Sequence, residues 1–177
     1  MRWNDLFGDL EGQLAAAHAS EFEAGVRDLA QAERATVRLS ERLASSASAP
    51  VTLTLRGGSR VAGVVTEAAG SWVLLAERGR EYLVPLAAIA MARGVGHRAS
   101  DLGAVAARLG LGHAFRALAR EGVSVVVSTT GGEVRGRIDQ VGADHFDLAT
   151  GEGAAVAVTF AELLFVASVV GAASPGL

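Results

Sequence analysis

One pattern occurs twice in this chain, and it limits the fold more than any other feature. Residues 51–65 read VTLTLRGGSRVAGVV, and residues 123–138 read VSVVVSTTGGEVRGRI. In the first copy Val51, Leu53 and Leu55 alternate with Thr52, Thr54 and Arg56, the period-two spacing of a strand with one buried face. RGGS then supplies residues suited to the positive φ of a tight turn, and Val61, Val64 and Val65 begin a return strand. SWVLLAE, REYLVPL and AIAMAR follow as third, fourth and fifth strands, separated by turn signals at EAAGS, ERGR and PLAA. The second copy keeps this order: Val51 aligns with Val123, Gly63 with Gly136, Trp72 with His145, Leu75 with Leu148 and Ile89 with Leu163. The offset grows from 72 to 74, with the extra residues placed at turns, as a duplicated β-unit tolerates.

The segments before each copy have a different period. From Asn4 to Ala44 the apolar residues Leu6, Leu10, Leu14, Phe22, Val26, Leu29 and Leu43 recur at helical steps, with Asn4 as a candidate N-cap. Gly12 and Gly25 leave either one bent helix or two consecutive helices open. ASSASAP, ending at Pro50, closes this arm. Residues 95–122 also read as helix-forming, with Ser100 as a candidate cap, a break at Gly110 and Gly112, and a short helix from His113 to Glu121 stopped at Gly122. The expected organisation is a helical arm over 1–46, a β-unit over 47–94, linking helices over 95–122, a second β-unit over 123–170, and a disordered tail over 171–177.

Half of the 177 residues are apolar, enough to bury a core without covalent staples. The absence of cysteine excludes disulfides, thiolate metal sites and a cysteine nucleophile. Asp5, Asp9 and Glu11 interrupt the N-terminus where a signal peptide needs an apolar core, and no apolar run reaches the length of a membrane span. The expectation is a cytoplasmic protein with no membrane partner. All sixteen basic residues are arginine, a bias in keeping with a GC-rich genome. The net charge of −3 hides an asymmetry, because residues 47–122 are arginine-rich whereas from Val123 onward Arg135 and Arg137 face six carboxylates.

A short helix feeding a bent five-stranded antiparallel sheet resembles the Sm and Sm-like family, including the bacterial Hfq RNA chaperone, within the wider SH3-like barrels. The residues that carry the resemblance are the alternating first strand, the turns RGGSRVAG and TTGGEVRG, Gly63 and Gly136 in the second strands, and LVPLAAIAMA at the end strands. The resemblance implies a mainly β, α+β fold: an N-terminal amphipathic helix followed by two five-stranded antiparallel barrels, each preceded by a helix. It makes Gly63 and Gly136 structural barrel glycines, placed where a strand bends too sharply for a side chain. It also implies association edge to edge through the fourth and fifth strands, here Glu81 to Arg93 and Val156 to Ser168. The family's uridine-binding Lys-His pair has no counterpart, because the matching turns are PLAA and TFAE.

No acid, base and nucleophile converge in the sequence, so no catalytic residue, cofactor or metal ligand is assigned. His18, His97, His113 and His145 are scattered, and His145 with Asp147 reads as a solvated strand face. The arginines give the one binding hypothesis. Arg56 and Arg60 flank the first hairpin turn, Arg78 and Arg80 flank another, and Arg116 and Arg120 lie one helical turn apart. Together they are the candidate RNA- or DNA-binding residues, against a bland reading as solubilising charge. The functional expectation is a non-enzymatic binding or assembly module that pairs strand edges with itself, within one chain or between chains. A nucleic-acid-binding regulator is the alternative.

Overall fold

The computed structural model describes residues 35–151, 153 and 155–168. The chain divides into two compact units, Met1–Val37 and Arg38–Leu177, and every element named below belongs to the second. Most of the expected N-terminal arm, with Asn4 and His18, lies outside the described residues, as does the expected tail over 171–177.

A short helix, α1 (Leu39–Ala44), leads into the first five strands: β1 (Pro50–Leu55), β2 (Arg60–Ala68), β3 (Trp72–Glu77), β4 (Arg80–Pro85) and β5 (Ile89–Arg93). A single 3-10 turn, Leu86–Ala88, joins β4 to β5. Two helices, α2 (Gly103–Ala106) and α3 (Leu111–Glu121), precede β6 (Ser124–Thr129), β7 (Gly132–Val141), β8 (His145–Ala149), β9 (Ala155–Thr159) and β10 (Leu163–Ser168). Helix α3 begins two residues earlier than its sequence pattern suggests and stops at Gly122, whose φ of 63° lets its N–H reach the carbonyls of Leu118 and Ala119.

All ten strands form one antiparallel sheet in the order β5-β1-β2-β3-β4-β10-β6-β7-β8-β9. This overturns the expected fold of an N-terminal helix followed by two separate barrels. The join is made by β4 and β10, with Leu83 opposite Val166 and Tyr82 opposite Ala167. The physical reason is that β3, β4 and β10 are apolar on both faces, and such strands need cover on both sides. Val73, Leu75 and Val84 turn into one core with Leu53 and Leu43 of α1, and Leu164 of β10 enters that same core. On the opposite face Trp72 and Leu83 enter a second core with Val127, Phe146 and Phe115 of α3. Each half therefore supplies side chains that complete the core of the other.

The register also revises the alignment of the two copies. Val51 lies opposite Gly63 and Val125 lies opposite Gly136, so Val51 corresponds to Val125 rather than to Val123. The extra residue is in the first hairpin turn, where RGGS is longer than its counterpart. The irregularities match as well: the ladder shifts between Thr54 and Leu55 and between Leu163 and Phe165, and again between Val65 and Glu67 and between Ile138 and Gln140. Bulges at equivalent places bend both copies alike. Gly63 and Gly136 sit where the neighbouring strand passes closest. A Cβ on Gly63 would lie 2.7 Å from the carbonyl oxygen of Ala76, and one on Gly136 would lie closer still to that of Ala149.

Candidate functional site

The six candidate arginines do not share one surface. Arg60 at the start of β2 and Arg80 at the start of β4 line a groove of about 220 Å³ that crosses the β4·β10 join. Arg135 of β7 lies in the same groove, over a floor that includes Tyr82, Phe165 and Val126, with Glu77 and Glu133 also at its walls. Sequence reasoning missed Arg135 because it was grouped with the acidic half. The alternation of EVRGRI does put it on the outward face of its strand, but local period does not say which strand is adjacent. Arg116 and Arg120 line a separate groove of about 600 Å³ with His113 and Asp139. Arg120 also donates from Nε to the carbonyl of Arg116. Arg56 is spent elsewhere, its guanidinium donating to the carbonyl of Ala161. Arg78 occupies the tip of the β3–β4 turn with φ of 50°, beside Gly79 at 79°, and stands in neither groove.

The aromatic side chains of β3, β4, β8, β10 and α3 have structural places. Trp72 is 4% exposed in the second core, and its Nε1 is buried without a hydrogen-bond partner. Tyr82 meets Phe165 edge to face across the β4·β10 join, with ring centroids 5.8 Å apart. Phe115 packs against Phe146 at 4.7 Å and Phe160 at 5.3 Å, which fixes α3 on the second half.

The two outer strands form a second candidate surface. Among the described residues β5 pairs with β1 alone and β9 with β8 alone. Both edges carry exposed large apolar side chains, Met91 on β5 at 53% and Val156 on β9 at 39%. Beside β9 an open groove of about 420 Å³ is lined by Thr129, Val134, Val156, Val158 and Glu162 among others. Thr130 donates its hydroxyl to the carboxylate of Glu162 at the mouth of this groove.

His145 and Asp144 form the one hydrogen-bonded ionisable pair among the described residues, Nδ1 to Oδ1 at 2.8 Å. The hydrogen bond that His145 Nδ1–H donates to Asp144 raises the His145 pKa above its ordinary value, with the charges of Asp144 and Asp147 acting the same way. The same bond lowers that of Asp144. Both groups are solvent-exposed, so the pair is a surface feature. Among the described residues no three His, Asp or Glu side chains are grouped to hold a metal ion, and no helix is long and apolar enough to cross a membrane. Against known proteins, no family model matches the chain and no curated protein is significantly similar to it.

Proposed function

We propose that the protein is a non-enzymatic binding and assembly module that takes up partner strands at the open edges of its sheet. The observation that carries this reading is the pair of outer strands, β5 and β9, each paired on one side alone among the described residues and each presenting an exposed apolar side chain. An unpaired edge offers a row of backbone donors and acceptors to any extended segment, and side-chain pockets beside it supply selectivity. The Sm-like resemblance of the sequence points the same way, since that family associates through its fourth and fifth strands. Size-exclusion chromatography with light scattering, with and without candidate strand peptides, tests it. A chain that neither self-associates nor binds any strand at high concentration overturns the reading.

A second reading, an RNA- or DNA-binding regulator, is favoured by the groove that gathers Arg60, Arg80 and Arg135. The three arginines outnumber the two carboxylates, Glu77 and Glu133, that share the groove. Such binding weakens steeply with salt. It is still strong at ~50 mM salt, and an absence of retained single- or double-stranded nucleic acid there removes this reading.

A further inference from the structure

We propose that the groove across the β4·β10 join binds a small phosphorylated sugar or polyol, with Arg60, Arg80 and Arg135 on its phosphate and Glu77 and Glu133 on its hydroxyls. This inference uses the arginines of the nucleic-acid reading with a different occupant, and it is independent of the edge-binding function.

Strand register builds the groove. Arg135 lies opposite Val126, Val126 opposite Ala167, and Ala167 opposite Tyr82, so these residues form one row across β7, β6, β10 and β4. Side chains directly opposite on paired strands share a face. This row is the floor, together with Phe165, which packs edge to face on Tyr82. Glu133 stands two residues before Arg135 on β7, and Arg80 two residues before Tyr82 on β4, so alternation puts both on the face of the row. Glu77 lies opposite Arg80, and Arg60 arrives from the start of β2. The lining therefore comes from both halves of the sheet, and the β4·β10 pairing is what brings it together.

The arginines select the anion. A guanidinium presents a planar fork of donors that meets phosphate oxygens in pairs. Three exposed arginines around about 220 Å³ concentrate their charge at one place. A nucleic-acid strand needs that charge spread along a track that follows its backbone. The other candidates do not extend one: Arg56 donates to the carbonyl of Ala161, and Arg116 and Arg120 line a separate groove. The groove is also smaller than the ~300–1,000 Å³ of sites that enclose drug-sized ligands. A phosphate on a short carbon skeleton suits it.

The two glutamates select the rest of the ligand. An ionised carboxylate accepts hydrogen bonds and donates none, so Glu77 and Glu133 repel a bare anion and require donors from whatever the arginines hold. Sugar or polyol hydroxyls are such donors, and they add no charge. The half-buried rings of Tyr82 and Phe165 offer apolar surface to the carbon skeleton between phosphate and hydroxyls.

Isothermal titration calorimetry of the full chain in phosphate-free, low-salt buffer, with ribose 5-phosphate, inorganic phosphate and ribose as probes, tests the proposal. Ribose 5-phosphate is expected to bind about tenfold more tightly than inorganic phosphate, the scale of an added hydrogen bond to a charged group, and ribose not detectably. Arg80→Ala and Arg135→Ala should each weaken ribose 5-phosphate by a similar factor with an unchanged circular dichroism spectrum, whereas Arg116→Ala combined with Arg120→Ala leaves it unchanged. Glu77→Gln combined with Glu133→Gln should act oppositely on the two phosphates: inorganic phosphate tightens as repulsion is removed, and the preference for ribose 5-phosphate shrinks. Bound ligand should also raise the unfolding midpoint in step with its concentration. Inorganic phosphate binding as tightly as the sugar phosphate, or sugar-phosphate binding indifferent to Arg80 and Arg135, overturns the proposal. No binding of either phosphate at millimolar concentration overturns it too, and an oligonucleotide then retained through the same arginines leaves the nucleic-acid reading standing alone. Ribose 5-phosphate bound with no oligonucleotide retained supports the proposal and removes that reading.

Discussion

Gly63 and Gly136 show what a single residue decides here. Each stands where the backbone of the following strand comes within contact distance, so a methyl group has nowhere to go without moving a carbonyl. Gly63→Ala is expected to destabilise by about 1–3 kcal/mol, in the range for overpacking a tight site. Gly136→Ala should cost more, because its added Cβ also meets Leu148, and urea unfolding of the two variants checks the order. The exposed His145–Asp144 pair gives a second residue-scale expectation. With His145 held above its ordinary pKa, the stabilisation it gives is fully present below the unfolded-state pKa and is lost as pH rises through the folded one. Asp144→Asn should bring the His145 titration, followed by NMR, back toward ~6.5; an unmoved titration would show that the hydrogen bond is not its cause.

Helix α3 and strands β3, β4 and β10 carry the argument at the scale of elements. α3 is fastened by Phe115, fully buried against two other rings. Phe115→Ala is expected to cost about 3–5 kcal/mol by leaving a cavity in the second core, read as a lowered unfolding midpoint. Its outward face keeps Arg116 and Arg120 exposed, so replacing both with Ala should leave stability nearly unchanged, and a large loss would mean that these residues are structural. The strands SWVLLAE and LLFVAS were legible in the sequence as strands. Their meaning was not, because a continuous apolar run says that both faces are covered without saying by what. The alignment of Val51 with Val123 failed for a related reason: Val51, Leu53 and Leu55 in the first copy and Val123, Val125 and Val127 in the second all fall at every second position, so a slip of two keeps each of them on the same face, and only the partner of Gly136 fixes the register.

At the largest scale, the shared cores predict a single cooperative unfolding transition rather than two for the unit Arg38–Leu177. The second core draws Trp72 and Leu83 from the first half, and the first draws Leu164 from the second. A fragment covering residues 95–177 alone should therefore lack a folded circular dichroism and NMR signature. A well-dispersed spectrum from it would mean that the halves are independent. Local period and turn chemistry are properties of neighbouring residues. For that reason the sequence by itself determined the ten strands in order, the hairpin turns, the stop of α3 at Gly122 and the basic and acidic halves. Pairing between strands far apart in the chain is a property of space, and only the tertiary structure decided it. That structure set β4 against β10, turned two expected barrels into one sheet, dispersed six candidate arginines while bringing Arg135 beside Arg60 and Arg80, and left β5 and β9 as the edges. Alternation tells each strand which face is buried, and hydrogen bonding alone tells it which strand lies beside it.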